Sequence, residues 1–154
     1  MVKAYISWDT FHKDCDITAA KVTAEHPEVD YIIALSRGGV VPARIMTETI
    51  KPKNFYVLGL KLFDGYKRGK NVKLTQDLSS YSEFDRHDKI LIVDDVSDGG
   101  TTLQFAYTHI WKNSGGAHVF TACPYMKKGT CKKPNYYSKE FCDDEWIVFP
   151  FERD

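Results

Sequence analysis

The stretch ILIVDDVSDGGTTL, residues 90–103, constrains the fold more than any other part of the chain. Its first four residues, Ile90 to Val93, form a continuous and mostly β-branched apolar run, as the central strand of a parallel sheet does. Three aspartates, two glycines and two threonines follow, and apolar residues then recur with helical spacing from Leu103 to Trp111. A strand, a polar turn and a helix in this order predict an α/β fold that binds ligands at the carboxyl ends of its strands.

Other segments extend this pattern along the 154 residues, which suit a single domain spanning residues 1–154. Further strands are expected at residues 3–7, 29–35, 55–62 and 117–123, and helices from Ser7 or Asp9 to Glu25 and from Pro42 to Ile50. The predicted fold class is therefore α/β, with a parallel core sheet flanked by helices.

Residues 64–87 interrupt the alternation of strands and helices, because the segment is polar and has no apolar period. A connection of this length without structure is uncommon unless it is functional. We therefore expect a lid, with a short hairpin around Val72 to Leu74. Lys67, Arg68 and Lys70 lie within this segment.

Composition excludes several classes of protein. The 21 basic and 21 acidic residues give a formal net charge of zero, so neither nucleic acid nor a membrane surface is expected as a partner. The apolar runs are all shorter than the roughly 20 residues that span a bilayer, and no signal peptide is recognised. The four cysteines show no CxxC spacing, which indicates reduced thiols and a cytoplasmic protein.

The polar turn after residue 93 carries the first candidate site. Asp94 and Asp95 are adjacent at a strand end and point to opposite sides, so one can face a sugar diol while the other orders a metal-bound water shell. Asp98 lies one turn later, where a general base would reach a bound ligand. The glycines let backbone N–H groups approach an anion at a helix N-terminus. A solvated acidic turn that caps the helix is the alternative interpretation.

A second glycine pair follows the strand at residues 29–35. Gly38 and Gly39 leave backbone N–H groups available as hydrogen-bond donors. Arg37 adds a fixed positive charge whose forked geometry suits phosphate. An ordinary strand-to-helix turn is the alternative here. Neither glycine pair is a Walker loop, since no GK[ST] follows, and neither has the spacing of a dinucleotide-binding fingerprint.

Four motifs spread over the chain resemble the type I phosphoribosyltransferases, and within them the 6-oxopurine branch of xanthine–guanine and hypoxanthine–guanine phosphoribosyltransferases. The motifs are WDT, SRGGVVPAR, VDDVSDGGTTL and WIVFPFE. The resemblance implies transfer of a phosphoribosyl group from phosphoribosyl pyrophosphate (PRPP) to N9 of guanine, hypoxanthine or xanthine in purine salvage. It also implies a flexible lid and a small C-terminal hood, over about residues 125–154 with the N-terminal strand, and a homodimer or homotetramer.

The resemblance also assigns roles around the sugar and the phosphates. Asp94 and Asp95 match the acidic pair that holds the ribose hydroxyls and the Mg²⁺ shell, and Asp98 matches an acid/base near purine N7. Two further groups are implied: a pyrophosphate loop of Ser36, Arg37, Gly38 and Gly39, and a 5′-phosphate cradle of Gly99, Gly100, Thr101 and Thr102. The family has threonine where Gly99 stands, so the cradle lacks one hydroxyl. A cis peptide is implied at Arg37–Gly38.

Three further residues are assigned to the purine by the same resemblance. Lys127 matches a lysine that bonds the exocyclic O6, although a solvated surface lysine is the alternative interpretation. Trp146 matches a ring that stacks on the base, where core packing is the alternative. The backbone of Ile147 is then expected to touch the base edge. Two rival functions stay open: a regulator that senses PRPP or a nucleotide, and a transferase for another base.

Overall fold

The computed structural model describes residues 1–63 and 71–153. In chain order the elements are β1 (Val2–Tyr5), α1 (Trp8–Glu25), β2 (Tyr31–Ser36), α2 (Val40–Ile50), β3 (Asn54–Phe63), β4 (Asn71–Gln76), β5 (Lys89–Val93), β6 (Val96–Ser97), α3 (Thr101–Asn113), β7 (His118–Ala122), β8 (Tyr125–Lys127), β9 (Lys139–Phe141) and β10 (Glu145–Val148). Strands and helices alternate from β1 to β3, and the strands β4, β5 and β6 then precede α3.

The core is a five-stranded sheet in the order β4–β3–β2–β5–β7. The pairs β3–β2, β2–β5 and β5–β7 are parallel, and β4 pairs antiparallel with β3 at one edge. The two central strands, β2 and β5, are buried along almost their whole length. The prediction of an α/β fold with a parallel core sheet flanked by helices is confirmed.

Alternate residues of the central strands pack against opposite layers, because successive side chains of a strand point to opposite faces. Along β2, Ile32 and Ala34 pack with the apolar faces of α1 and α2. Ile33 and Leu35 pack instead with α3, together with Ile92 of β5. Burial on both faces explains why these strands are continuous apolar runs rather than alternating ones.

The helix ends follow from local hydrogen bonds. The Ser7 hydroxyl caps α1 by accepting from the Thr10 N–H at 3.1 Å. Helix α2 begins at Val40 rather than at the predicted Pro42, because the Ala43 N–H already donates to the Gly39 carbonyl. Pro42 therefore lies in the first turn, where its missing N–H leaves no bond unmade.

Within the predicted lid at residues 64–87, the expected short hairpin is present, and the residues after it pack on the core without forming a helix or strand. β4 forms a hairpin with β3 and contains the expected Val72 to Leu74 segment. Farther on, Phe84 is buried against Tyr31 and Tyr56, and Leu78 and Tyr81 pack on the same cluster. Leu78, Tyr81 and Phe84 recur every three residues, but the residues between them are polar, so the sequence pattern did not indicate their burial. The three basic residues of the predicted lid, Lys67, Arg68 and Lys70, lie outside the described residues.

Two smaller sheets complete the carboxyl-terminal part. β6, β8 and β9 form a parallel sheet, and β1 pairs in parallel with β10. The first strand of the chain therefore supports the segment that contains Trp146 and Ile147. Within the part of the chain that the structure describes, no helix is long and apolar enough to cross a bilayer.

Candidate active site

The turn after β5 presents two carboxylates that local backbone groups orient. The Asp94 Oδ1 atom accepts from the Asp95 N–H at 2.9 Å, and the Asp95 Oδ1 atom accepts from the Val96 N–H at 2.7 Å. Each aspartate thus directs one carboxylate oxygen toward the backbone N–H of the next residue. Because the bonds join neighbouring residues, the geometry of the turn is set within the DDV sequence itself.

Both carboxyl groups have raised pKa values. Burial, followed by the negative charge of Asp95, raises the pKa of Asp94 well above its ordinary value. Burial also raises the pKa of Asp95 to about 6, with a contribution from the charge of Glu152 and against the hydrogen bonds from Asp94 and Val96. Two carboxylates that resist ionisation side by side favour a bound proton or a cation.

A pocket of about 250 Å³, called here the α3 pocket, lies over the N-terminus of α3. It is lined by Leu62, Asp94, Asp95, Val96, Ser97, Asp98, Gly99, Gly100, Thr101, Thr102 and Leu103. Gly100 has a φ of 92°, a conformation that side chains rarely adopt. No side chain caps the helix, so its first N–H groups are available to an anion.

The turn after β2 packs tightly against the turn after β5. A Cβ atom on Gly38 would collide with the Asp95 carboxylate, and one on Gly39 would lie 2.5 Å from the Val93 carbonyl oxygen. The cis peptide lies between Ser36 and Arg37, one residue earlier than predicted. The Gly39 N–H donates to the Leu35 carbonyl at 2.9 Å across this turn, and α2 begins at the next residue, Val40.

A cleft of about 750 Å³, called the β2-side cleft, opens between this turn and the carboxyl-terminal segment. It is lined by Arg37, Gly38, Val41, Asp95, Trp146, Val148, Phe151, Glu152 and Arg153. Its lining includes two arginines, Arg37 from the turn after β2 and Arg153 from the carboxyl-terminal segment. Ser36 and Gly39 do not line it, although the sequence grouped them with Arg37 and Gly38.

A smaller central pocket of about 130 Å³ adjoins the cleft and is lined by Asp95, Val96, Asp98, Lys127, Trp146, Ile147, Phe149 and Glu152. The Lys127 side chain is buried, donates to the Glu145 carbonyl, and has its Nζ atom 4.0 Å from the Asp98 Oδ1 atom. Lys128 is exposed. The structure therefore places Lys127, and not its neighbour, at the pocket.

Trp146 is 50% exposed and lines both the cleft and the central pocket. Core packing, the alternative for this ring, is therefore not what the structure shows. Ile147, the next residue, is buried and lines the central pocket. The pairing of β1 with β10 holds both residues in place.

Asp95 lines all three cavities, so they form one continuous site at the carboxyl ends of β2 and β5. Sequence reasoning missed Glu152 and Arg153, which line the β2-side cleft; Glu152 also lines the central pocket. The available signal was a charged pair shortly after WIVFPF, a segment already expected to cross the ligand face.

The geometry can be compared with known families. A model described as the phosphoribosyl transferase domain matches residues 2–154. The chain belongs to this family. The predicted membership of the phosphoribosyltransferases is thereby confirmed, and the motifs at residues 36–39 and 94–102 lie on the site that the fold creates.

Among curated phosphoribosyltransferases, xanthine phosphoribosyltransferase 1 of Saccharomyces cerevisiae is 33% identical over an alignment of 128 residues. The match covers 71% of this chain and 61% of the yeast protein. Xanthine-guanine phosphoribosyltransferase of Gluconobacter oxydans is 28% identical over 153 residues, covering 97% of this chain and 84% of the relative. The matched region thus spans less than two thirds of the yeast relative.

A solved phosphoribosyltransferase supports the same placement. The purine phosphoribosyltransferase from Pyrococcus horikoshii superposes with a TM-score of 0.84 at 29% identity, over 100% of this chain and 97% of that chain. The agreement extends through the β1–β10 pair and the segment after it, because the superposition covers both ends of the chain.

Proposed function

We propose that the protein is a purine-salvage phosphoribosyltransferase. It transfers the 5-phosphoribosyl group of PRPP to N9 of guanine, hypoxanthine or xanthine and releases pyrophosphate. The observation that carries the proposal is the position of Asp95 at the junction of three cavities that differ in chemistry. The relatives named for xanthine and guanine support the choice of a 6-oxopurine.

The two turns would hold the two phosphate-bearing ends of PRPP. The α3 pocket, with Gly99, Gly100, Thr101 and Thr102 at a helix N-terminus, suits the 5′-phosphate. The β2-side cleft suits the pyrophosphate, because Arg37 offers a forked cation and Gly38 lets the turn pack against the Asp95 carboxylate. Ser36 and Gly39 would act by shaping the turn rather than by contact.

Asp94 and Asp95 would hold the ribose hydroxyls and a Mg²⁺ ion. Carboxylate oxygens are the ligands that this hard cation prefers, and a bound cation would offset the burial that raises the pKa of both carboxyl groups. Two carboxylates are fewer ligands than the ion takes, so the remainder would come from PRPP and water. When bound, the ion would neutralise charge on the departing pyrophosphate.

The purine would occupy the central pocket, with its ring against Trp146 and its edge along Ile147. Lys127 is positioned for the exocyclic O6, and the carbonyl of Glu145 holds its ammonium group in the pocket. Asp98 is the catalytic group in this arrangement, because its carboxylate lies beside Lys127 and can exchange the proton at purine N7. Bond breaking at ribose C1 passes through an oxocarbenium-like state, which Arg37 and the turn amides stabilise by accommodating the charge on the leaving group.

A panel of bases tests the proposal. Incubation with PRPP and Mg²⁺ should consume guanine, hypoxanthine or xanthine and leave adenine and uracil unchanged. The release of pyrophosphate measures the reaction. PRPP binding without turnover of any base would favour the sensing regulator, and turnover of adenine or uracil alone would favour a transferase for another base. Asp98→Asn is the control variant: it should lower turnover by about 100-fold or more while PRPP binding is retained.

We also infer a homodimer or homotetramer. Trp8 is 53% exposed and lines a groove of about 580 Å³ beside α2, and a second groove of about 610 Å³ reaches Phe55 across the same helix. Exposed aromatic surface of this kind is typical of interfaces. Light scattering on the purified protein should give a mass of two or four chains, and a single-chain mass at micromolar concentration would contradict the inference.

A further inference from the structure

The loop at residues 128–132 connects the two halves of the site. It begins directly after Lys127 of the central pocket and turns back through a bond from the Thr130 N–H to the Lys127 carbonyl at 3.2 Å. None of its residues lines any of the three cavities described above. It nevertheless contacts the turn that forms the α3 pocket.

On the side of the α3 pocket, the Cys131 N–H donates to the Gly99 carbonyl at 2.9 Å. A planar trans peptide directs its C=O and N–H to opposite sides. A Gly99 carbonyl held toward the loop therefore directs the N–H of Gly100 away from the loop, on the side of the α3 pocket that Gly100 lines. The contact is close, since a Cβ atom on Gly100 would lie 2.5 Å from both the Lys132 nitrogen and the Thr130 Oγ1 atom.

A pair of hydroxyl groups fixes the loop in this position. The Ser97 Oγ atom lies 2.7 Å from both the Thr130 Oγ1 atom and the Lys132 carbonyl oxygen. The Lys132 carbonyl accepts from the Ser97 hydroxyl at 2.7 Å and from the Thr130 hydroxyl at 3.3 Å, and either hydroxyl can donate to the other. The Thr130 oxygen in turn accepts from the Lys132 N–H at 3.4 Å. Ser97 is 1% exposed, so water does not compete for these bonds.

Two further contacts hold the ends of the loop. The Lys132 ammonium lies 3.9 Å from the centre of the Tyr107 ring on α3. At the other end, the Gly129 N–H donates to the Asp143 carboxylate at 2.8 Å, next to the segment that contains Trp146. The loop therefore contacts both α3, which begins at the α3 pocket, and Asp143, which precedes the segment that contains Trp146.

We propose that the loop at residues 128–132 directs the Gly100 N–H toward the 5′-phosphate, and that Ser97 and Thr130 are positioning residues for phosphoribosyl transfer. The inference rests on the proposed function for the identity of the phosphate. Thr130 lines none of the three cavities, and the Ser97 hydroxyl is bonded to Thr130 and to the Lys132 carbonyl. Their role is to keep a backbone donor aligned before the ligand arrives, so that binding does not have to order the turn.

Thr130→Val tests this inference, because valine preserves the shape of threonine and removes the hydroxyl. Thr130→Ser, which retains the hydroxyl, is the matched control. We expect the valine variant to raise the KM for PRPP by about tenfold, the loss that corresponds to one strong hydrogen bond, with the KM for the purine changed less than twofold. The serine variant should remain within about twofold of the wild type for both substrates.

Calorimetric titration with ribose 5-phosphate supplies a readout that needs no catalysis. The dissociation constant should rise about tenfold in Thr130→Val and not in Thr130→Ser. A wild-type protein that binds ribose 5-phosphate but turns over no base would contradict the proposed function while leaving this comparison valid. Equal dissociation constants for the two variants, with only the melting temperature lowered by valine, would overturn the positioning role.

Ser97→Ala is the second variant, because it removes the hydroxyl group to which Thr130 is hydrogen-bonded. It should also weaken ribose 5-phosphate binding by about tenfold, and the double variant should lose less than the sum of the two single losses, since both single variants lack the Ser97–Thr130 bond. Failure of both Ser97→Ala and Thr130→Val to fold would show a purely structural element and overturn the proposal.

Discussion

The two glycine pairs of the site look alike in sequence but differ in what surrounds them. Gly38 and Gly39 lie where the turn after β2 meets the turn after β5, and protein atoms occupy the space that a side chain would need. Gly100 is similarly enclosed by the 128–132 loop, whereas Gly99 has no protein atom within 4 Å of an added Cβ. Three of the four glycines therefore allow protein to pack on protein.

This difference shows that a glycine-rich turn does not by itself form a ligand-binding site. In the turn after β2 the glycines allow two strand ends to approach, and the ligand-facing group is the side chain of Arg37. In the turn after β5 the backbone itself faces the pocket. Substitutions at these positions should consequently separate effects on folding from effects on binding.

The largest effect is expected for Gly39→Ala. The new methyl group would lie 2.5 Å from the Val93 carbonyl oxygen and 2.7 Å from the Leu35 carbonyl oxygen, both backbone atoms of central strands that cannot move independently. We expect a loss of about 3 kcal/mol or more in the free energy of unfolding. Urea denaturation measures it, and a loss below about 1 kcal/mol would show that the strand ends are less tightly packed than described.

Gly100→Ala should come next. The substitution places a side chain at a φ of 92° and in contact with the Lys132 nitrogen, so it combines backbone strain with displacement of the 128–132 loop. We expect about 2 kcal/mol of destabilisation and a weaker affinity for PRPP. Denaturation and calorimetry on one preparation would test both. Unchanged PRPP affinity in a destabilised variant would argue against contact between the loop and the binding turn.

Asp95→Asn should have an effect of opposite sign on stability. The pKa of this carboxyl is raised to about 6, so the penalty on its ionised form grows as pH rises above 3.8 and is complete above about 6. Without divalent metal at pH 7.5, the variant should be more stable by about 1–3 kcal/mol, although it should lose activity. The gain should vanish below about pH 4 in thermal melts, and a gain that persists there would point to another cause.

Gly99→Thr is expected to have the smallest effect on the fold. The position is exposed, lacks a positive φ and faces open space, so the change should alter the free energy of unfolding by less than about 0.5 kcal/mol. The added hydroxyl restores the residue of the resembling family beside the 5′-phosphate. A lower KM for PRPP would show that the threonine contributes a bond, and Gly99→Val is the control without that hydroxyl.

The central strands and the two turns could be predicted from the sequence because their signals are local. β2 and β5 are buried on both faces and read as continuous apolar runs, and each is followed by glycines. The assignment of Lys127 to the purine came from the resemblance alone. The structure gives it a physical basis, because β8 is buried through Lys127 and the chain leaves the sheet immediately after it.

The remaining features depend on distant partners and left little local signal. Phe84 is buried only because Tyr31 and Tyr56 cover it, and its own neighbours are polar. The hydrogen bond between Ser97 and Thr130 joins residues 33 positions apart. Glu152 reaches the site because β10 pairs with β1 and directs the following residues across the cleft. Pairings of this kind arise from tertiary packing, which single-sequence patterns do not encode.

The pairing of β1 with β10 has a consequence for the order in which the protein becomes functional during synthesis. Strands β2 and β5 and the turn with Gly100 leave the ribosome before β10 does, whereas β1 must wait unpaired until its partner at Glu145–Val148 has been made. The wall that contains Trp146 is thus completed last, by a loop closure across nearly the whole chain. The residues proposed to bind the sugar phosphate are therefore synthesised before the wall proposed to contact the base is complete.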